Sequence, residues 1–317
     1  MAQPSRGASL VGRRVAVRVP ATTANLGPGF DTLGLALSVY DELEVEAVER
    51  PGVRVHVEGV GAGEVPTDES NLVASSLLHS LAAMGVEAPG LELRARNTIP
   101  HGRGMGSSGA AVVAGIVAAK GLLDGLVEMT DETLLRLATE IEGHPDNVAP
   151  ALFGGLAIAW TTASGPAQKT LLVHRGVSPL ILVPEATLST KVARGLQPEH
   201  VPHEDAVFNV SRSALLIAAL TQSPELLFAA TEDKLHQSYR ASAMPETARV
   251  VALLREHGLP AVVSGAGPSV LVLANGAGER LEAADLIARH AGVHWTPLML
   301  AVDVKGATVE PIPGDAV

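Results

Sequence analysis

Pro100-His101-Gly102-Arg103-Gly104-Met105-Gly106-Ser107-Ser108-Gly109 is the stretch on which the fold turns. It follows Leu91, Leu93 and Ala95, whose alternation predicts a strand, and precedes residues 110–123, which are small and aliphatic on every side and predict a buried helix. Glycines let successive backbone N–H groups converge on an anion with no Cβ in the way, and a helix N-terminus adds about half a positive charge. The pattern therefore predicts a phosphate cradle between a strand and a helix. Two other phosphate loops do not fit. No Gly-Lys-Ser/Thr follows, as a P-loop requires. Gly104, Gly106 and Gly109 have dinucleotide-loop spacing and Asp124 lies 20 residues beyond Gly104, but that acid should end a second strand, whereas Gly121-Leu122-Leu123-Asp124-Gly125 reads as a helix end. A glycine-rich turn that binds nothing is the remaining local alternative.

Outward from the loop, strands and helices intermix. Val15, Val17 and Val19, then Leu43 and Val45, then Val53, Val55 and Val57 alternate as strands, while Glu42, Glu44 and Glu46 mark a solvent face. Thr67 or Asp68 is expected to cap a helix with the stripe Leu72, Val73, Leu77, Leu81 and Met84, ending at Gly85. A helix over 133–142 and a strand over 155–160 follow. The Ser/Gly/Pro/Thr-rich stretch 161–169 suggests a boundary between two domains, 13–165 and 166–310, with 1–12 and 311–317 as flexible tails. The second half predicts strands at 180–183, 261–264, 270–274 and 298–304, and helices at 206–221, 245–257 and 283–290. Two α+β domains fit this order best.

The 317 residues suffice for about two domains, and 47% hydrophobic against 18% charged residues is the balance of a chain that folds by burial. The chain contains no cysteine, which removes disulfides, thiolate nucleophiles and Cys-ligated metals, and suggests a reducing cytosol. Lys and Arg number 23 against 34 Asp and Glu, a net charge of -11 that argues against nucleic acid or an anionic membrane as partner. The N-terminus lacks the apolar core of a secretory signal, and apolar runs such as 110–119 stop after about ten residues, half of a membrane span. Glycine is the anomaly: 32 residues, about a tenth of the chain against a usual ~7%.

Two further segments share the glycine-rich character of the loop: Pro20-Ala21-Thr22-Thr23-Ala24-Asn25-Leu26-Gly27-Pro28-Gly29-Phe30-Asp31 and Ser264-Gly265-Ala266-Gly267-Pro268-Ser269. With the loop at 100–108 they resemble, in order and spacing, the three motifs of the GHMP small-molecule kinases, the group of galactokinase, homoserine kinase, mevalonate kinase and phosphomevalonate kinase. Met105 and Gly109 depart mildly from the usual Leu and Ala. The resemblance implies an α+β, two-domain GHMP kinase fold: a ribosomal protein S5 domain 2-like N-terminal domain and a ferredoxin-like C-terminal domain. Asn25 to Gly34 and Glu142-Gly143-His144-Pro145-Asp146-Asn147 look like the homoserine kinase branch, which implies an ATP-dependent transfer of phosphate to the side-chain hydroxyl of L-homoserine, a step of threonine biosynthesis.

That resemblance implies a site. ATP would lie over Pro100, His101, Gly102, Arg103, Gly104, Met105, Gly106, Ser107, Ser108, Gly109 and Ala110, with Asn71 facing the adenine or capping a helix. Ser108 and Glu142 would hold Mg²⁺, which takes few protein ligands. Asn25, Asp31, His144, Asn147, Arg194 and Arg240 would bind the substrate. Arginine offers a planar fork to a carboxylate, and Asp and Asn suit an ammonium, so this set suits an amino acid. Thr190 would approach the reacting hydroxyl, and Asp146 would either accept its proton or orient the substrate. No Walker lysine is present, so amides, helix dipole, metal and Lys191 or Arg103 would meet the phosphate charge. Each residue also has a local structural reading: Asp31 as a helix cap, Asn25 as a turn former, Arg194 as a solvated helix face.

The rival enzyme is a GHMP kinase for mevalonate-pathway or sugar substrates. A neutral sugar would not reward Arg194 and Arg240, and a phosphorylated substrate would want more basic residues. A catalytically silent protein of the same fold should have lost the glycines or Ser108 and Glu142. The family also implies a homodimer. Glu199-His200-Val201-Pro202-His203-Glu204-Asp205 reads as a solvated loop rather than a zinc site, because Pro202 disturbs helical spacing. His56, His79, His174, His236, His257, His290 and His294 show no mutual spacing that suggests ligation.

Overall fold

The computed structural model describes residues 10–313. In chain order it runs β1 (Arg14–Ala24), β2 (Leu33–Val48), β3 (Val53–Gly59), α1 (Leu72–Ala83), β4 (Gly90–Asn97), α2 (Ser107–Leu122), α3 (Asp131–Glu142), α4 (Pro145–Phe153), β5 (Leu156–Thr162), β6 (Gly165–Leu171), β7 (Val177–Pro184), α5 (Thr190–Gly195), α6 (His203–Thr221), α7 (Leu227–Ala230), α8 (Gln237–Arg240), α9 (Pro245–Glu256), β8 (Ala261–Val263), β9 (Val270–Asn275), α10 (Ala277–His290), β10 (Trp295–Met299) and β11 (Thr308–Pro311). The larger sheet has the order β11-β1-β2-β4-β3, with β5 joined to β2 and β6 to β5. β2 is long enough to pair with β1 along one edge and with two strands on the other, β5 near Leu33 and β4 from Glu42 to Val48.

The smaller sheet is antiparallel with the order β10-β7-β9-β8 and has helices between β7 and β8 and between β9 and β10. This is the βαββαβ arrangement of a ferredoxin-like unit. Its central strands read as continuous apolar runs because both faces are covered. Leu180, Leu182, Val270 and Val272 pack with Val250, Leu254 and Ala283 of α9 and α10, whereas the alternate residues Ile181, Leu271 and Leu273 join the main core with Leu216 and Leu220 of α6. Side chains of period two thus feed two cores, and the larger core runs from one sheet into the other. α2 lies inside that core, which explains its lack of a polar face.

Several expectations need correction. Residues 161–169 are not a linker: β5 and β6 form a hairpin with Thr162 paired to Gly165, so the chain crosses 165/166 within the larger sheet. The Ser/Gly/Thr composition reflects that turn and an exposed edge. β11 returns to β1, with Val15 opposite Pro311, and Ile312 N–H donates to Arg14 O. Leu10 is buried and Gly12 N–H donates to Ala47 O. Residues 10–12 and 311–312 are therefore held, while 1–9 and 314–317 lie outside the described residues. Asn71, not Thr67 or Asp68, caps α1; Asp68 instead accepts from the N–H of Ser70. His203, Glu204 and Asp205 form the first turn of α6 rather than a loop, with Pro202 at its N-cap. The final predicted strand, 298–304, is the shorter β10, Trp295–Met299.

Candidate active site

α2 begins at Gly106, a left-handed N-cap with no capping side chain and no acid in the first turn. The Ala110 N–H closes onto Gly106 O at 2.8 Å, and the three amides before it, Ser107, Ser108 and Gly109, have no intrahelical acceptor. These are donors at the positive end of a helix dipole. The loop feeding it is pinned from several sides. Thr22 N–H donates to Met105 O (3.1 Å), Leu188 N–H to Gly102 O (2.9 Å), and the Ser264 hydroxyl to Gly104 O (2.6 Å). Met105 itself is a core side chain. Arg103 donates to Pro184 O (2.9 Å), Glu185 O (2.8 Å) and His101 O (3.2 Å), so its guanidinium fastens the loop to the end of β7 and does not face the cradle.

A cavity on the β4 side of the loop is lined by Leu43, Pro66, Asn71, Ala95, His101 and Ala110, and it meets the main cleft at Ser107 and Ser108. Both ends of the Asn71 amide are used within the protein: Oδ1 accepts from Val73 N–H (3.0 Å) and Nδ2 donates to Pro66 O (2.8 Å). Of the residues expected to face ATP, Pro100, Arg103, Met105 and Gly109 lie outside both linings.

The main cleft lies where the two sheets' loops meet. Asn25, Asp31, His144, Asp146, Asn147, Thr190, Arg194 and Arg240 all line it, together with Ser108, Glu142 and the backbone of Gly102, Gly104 and Gly106. The loop between β1 and β2 supplies the first two. Asn25, Leu26 and Asp31 there have φ of 70°, 51° and 52°, and Asn and Asp tolerate that left-handed region best among non-glycine residues. Asn25 forms the turn by accepting from Asp31 N–H (3.0 Å) and donates to Gly265 O (2.8 Å), tying the first motif to the third. The Asp31 carboxylate is gripped by both terminal nitrogens of Arg194, at 2.9 and 3.0 Å, from α5.

α4 presents its first turn to the same space, started by Pro145 at a position where a missing N–H costs nothing. The His144 Nδ1 lies 2.5 Å from Asp146 Oδ1, and that bond holds the imidazole's pKa above its ordinary value. Asp146 is 2% exposed. Asn147 Oδ1 accepts from the Thr22 hydroxyl at 2.9 Å. At the end of α3, Glu142 accepts from the Ser108 hydroxyl at 2.9 Å, and burial pushes its carboxyl above the usual range. Thr190 opens α5 from an exposed position, and Lys191 beside it lies outside the lining.

Arg240 is 1% exposed, yet no carboxylate lies within ion-pair distance of it among the described residues. With the Gln197 amide turned so that its oxygen faces the arginine and its nitrogen Leu235 O, Nε donates to that oxygen (2.9 Å); one Nη reaches His236 Nδ1 (3.4 Å) and Gly265 O (3.5 Å). Burial lowers the pKa of Arg240. Asp31, Asp233 and Asp146 act on it only from beyond contact distance, and a buried guanidinium with no carboxylate in direct contact is costly, so this one favours an anionic ligand. Gln197, His236, Leu188 and Ser189 join or support the site without having been expected there. Only the four-residue interval from His236 to Arg240 on a helical segment signals such a contact in the sequence.

Residues 71–155 match the GHMP kinases N terminal domain and residues 213–292 the GHMP kinases C terminal domain. The chain is 68% identical to a homoserine kinase of Leifsonia xyli subsp. xyli over 98% of its own length and 97% of that protein's. It is 48% identical to a homoserine kinase of Streptomyces avermitilis, covering 94% of this chain and 96% of the relative. The crystal structure of homoserine kinase from Cytophaga hutchinsonii superposes with a TM-score of 0.84 at 27% identity, over 98% of this chain and 100% of the other. Matched in both halves and aligned almost end to end with these relatives, the chain belongs to the GHMP kinase family.

Proposed function

We infer that the chain is a homoserine kinase, transferring the γ-phosphoryl group of ATP to the side-chain hydroxyl of L-homoserine. The observation that carries this reading is the charge set in the cleft shared with the first-turn amides of α2: a buried Arg240 with no carboxylate in direct contact, beside the bidentate Asp31–Arg194 pair. A zwitterion satisfies all three groups. Its carboxylate supplies the direct partner that Arg240 lacks and a second partner for Arg194, while its ammonium takes the Asp31 oxygens that Arg194 yields. Each charge exchanges one partner for another and none is left bare, which a sugar or a hydroxy acid cannot achieve.

The adenine would occupy the cavity beside Asn71 and the triphosphate the amides of Ser107 and Ser108. Transfer to an alcohol is mostly positioning and electrostatic stabilisation of the equatorial oxygens. Asp146 already accepts from His144, which fixes the carboxylate at the cleft wall, and we assign it to orienting the acceptor. Thr190, exposed at the start of α5, would meet the reacting oxygen. The oxygens of Ser108 and Glu142 suit Mg²⁺: two hard donors 2.9 Å apart at the cradle, one of them a carboxylate that burial has left poorly solvated. Bound there, the ion would neutralise charge on the β- and γ-phosphates.

The test is ADP release with homoserine, mevalonate, galactose and shikimate in parallel. Release is expected to depend on homoserine alone, with a side-chain phosphomonoester visible by phosphorus NMR. Release no faster with homoserine than without an acceptor refutes the assignment.

A further inference from the structure

His236 is fully enclosed, and its ring does not line the cleft. It nevertheless touches both halves of the acceptor site. Its Nε2 lies 2.8 Å from Gly27 O, and its ring stacks on Phe30 at 5.0 Å and 14°. Gly27 and Phe30 belong to the loop that carries Asn25 and Asp31. On the other side, Nδ1 lies 3.4 Å from a terminal nitrogen of Arg240, whose guanidinium carbon sits 5.1 Å from the Phe30 ring centroid.

Chemistry fixes the tautomer. A carbonyl oxygen only accepts and a guanidinium only donates, so Nε2 carries the hydrogen and Nδ1 offers its lone pair. An imidazolium would set an N–H against the arginine, and enclosure penalises that charge as well. Asp233 does not supply an alternative partner: its carboxylate accepts from the backbone N–H groups of Leu235, His236 and Gln237 and stays 3.7 Å from Nε2.

We propose that His236 is a positioning residue for the acceptor site, a neutral bridge that aims Arg240 at the substrate carboxylate and locks it to the Asn25–Asp31 loop, so that it sets affinity for homoserine and leaves ATP binding untouched. The inference rests on the reading of Arg240 as the carboxylate's partner. With Nε held by Gln197 and one Nη by Nδ1 and Gly265 O, the other Nη is the nitrogen left for ligand, and its direction depends on those two restraints.

His236→Gln and His236→Asn separate the two contacts. Glutamine places an N–H donor near Nε2 and has no acceptor at Nδ1, whereas asparagine places an oxygen acceptor near Nδ1 and has no donor for Gly27. A hydrogen bond to a charged group is worth roughly tenfold or more in affinity. His236→Gln is expected to raise KM for homoserine about tenfold and His236→Asn less than about threefold, with KM for ATP unchanged in both. With 3-amino-1-propanol, an acceptor that lacks the carboxylate, His236→Gln and the parent protein should have equal kcat/KM. An increase in KM for ATP that parallels homoserine, or a full penalty on 3-amino-1-propanol, overturns the proposal. Arg240→Lys distinguishes the underlying reading: if it penalises homoserine but not 3-amino-1-propanol while His236→Gln penalises neither, the role of His236 alone is refuted. Should the variants fail to fold, nitrogen NMR of the unsubstituted protein decides, since a protonated Nδ1 at His236 is incompatible with the bridge.

Discussion

Three glycines of the phosphate loop share a left-handed backbone but differ in what surrounds them, which makes them a graded test of the interlocked cleft. Gly102, Gly104 and Gly106 have φ of +64°, +70° and +71°. Alanine at any of them costs about 1–2 kcal/mol for the backbone alone. At Gly102 that is nearly the whole cost, because a Cβ would meet Thr187 at 3.4 Å, an ordinary contact. At Gly104 it would press into Ser264 O and lie 3.0 and 3.1 Å from Gly267 O and N, all backbone of the third motif. A carbonyl cannot rotate aside as a side chain does, so the two loops must part by about 1 Å to recover normal van der Waals contact. A displacement of that size at reacting groups costs on the order of 100-fold in rate. We therefore expect Gly102→Ala to lose about 1 kcal/mol of stability and less than about threefold in kcat/KM for ATP, and Gly104→Ala to lose about 100-fold in kcat/KM. Gly106→Ala falls between them, since its obstacle is the Thr22 hydroxyl, which can turn away at the expense of its bond to Asn147. Denaturant unfolding and steady-state kinetics on the three variants supply the comparison. Equal kcat/KM for Gly102→Ala and Gly104→Ala would refute the argument that the first domain's loop is shaped by the second domain's backbone.

Asp31→Asn should raise KM for homoserine by at least about tenfold while changing stability by less than about 1 kcal/mol, because the ion pair it breaks is over a third exposed and such pairs contribute little to folding; thermal unfolding and acceptor titration separate the two. Glu142→Gln should raise the Mg²⁺ concentration for half-maximal rate about tenfold with KM for homoserine unchanged, read from a metal titration at saturating ATP. Asn71→Ala should cost about 1 kcal/mol through the lost cap of α1, and Asn71→Ser should recover most of it, as measured by denaturant midpoints. The folded pKa of His236 lies below its ordinary 6.5, since desolvation and Arg240 outweigh Asp233 and Asp31. Its neutral state therefore favours folding above pH 6.5 and that contribution is lost as pH falls further. His236→Asn should remove this component, so its stability declines less steeply than the parent's on acidification below that value.

The parts of the fold that were readable in the sequence are those whose cause is local. The valines of β1 and β3 alternate because one face is buried, and α2 shows no polar face because it is surrounded. β6 and β11 were not readable. β6 is an edge strand built from polar and small residues, and β11 has four residues whose only reason to be extended is β1, almost 300 positions away. α4 hides behind two prolines that normally signal an interruption: Pro145 starts the helix, and Pro150 is accommodated one turn later. The site divides in the same way. Asp31, Asp146 and the glycines stand in contiguous motifs, whereas His236 gains its role from Gly27, 209 residues earlier, and looked like one more isolated histidine.

Arg103 shows where residue type alone misleads. A cation inside a glycine loop invites assignment to phosphate, but its guanidinium is committed to three carbonyls, two of them at the end of β7. On the proposed reading, the protein's own positive potential at the cradle comes from groups that carry no formal charge, the amides of Ser107 and Ser108 and the dipole of α2, to which Mg²⁺ would add, and the arginines would serve the acceptor. That division explains how a chain of net charge -11 can hold a polyanion. Short-range oriented dipoles govern the field within the cleft, and the dispersed surface acids are screened over a Debye length of about 8–10 Å. It also separates the two substrates electrostatically: charge changes at Asp31, Arg194 or Arg240 should act on the acceptor, and backbone changes at the glycines should act on the nucleotide.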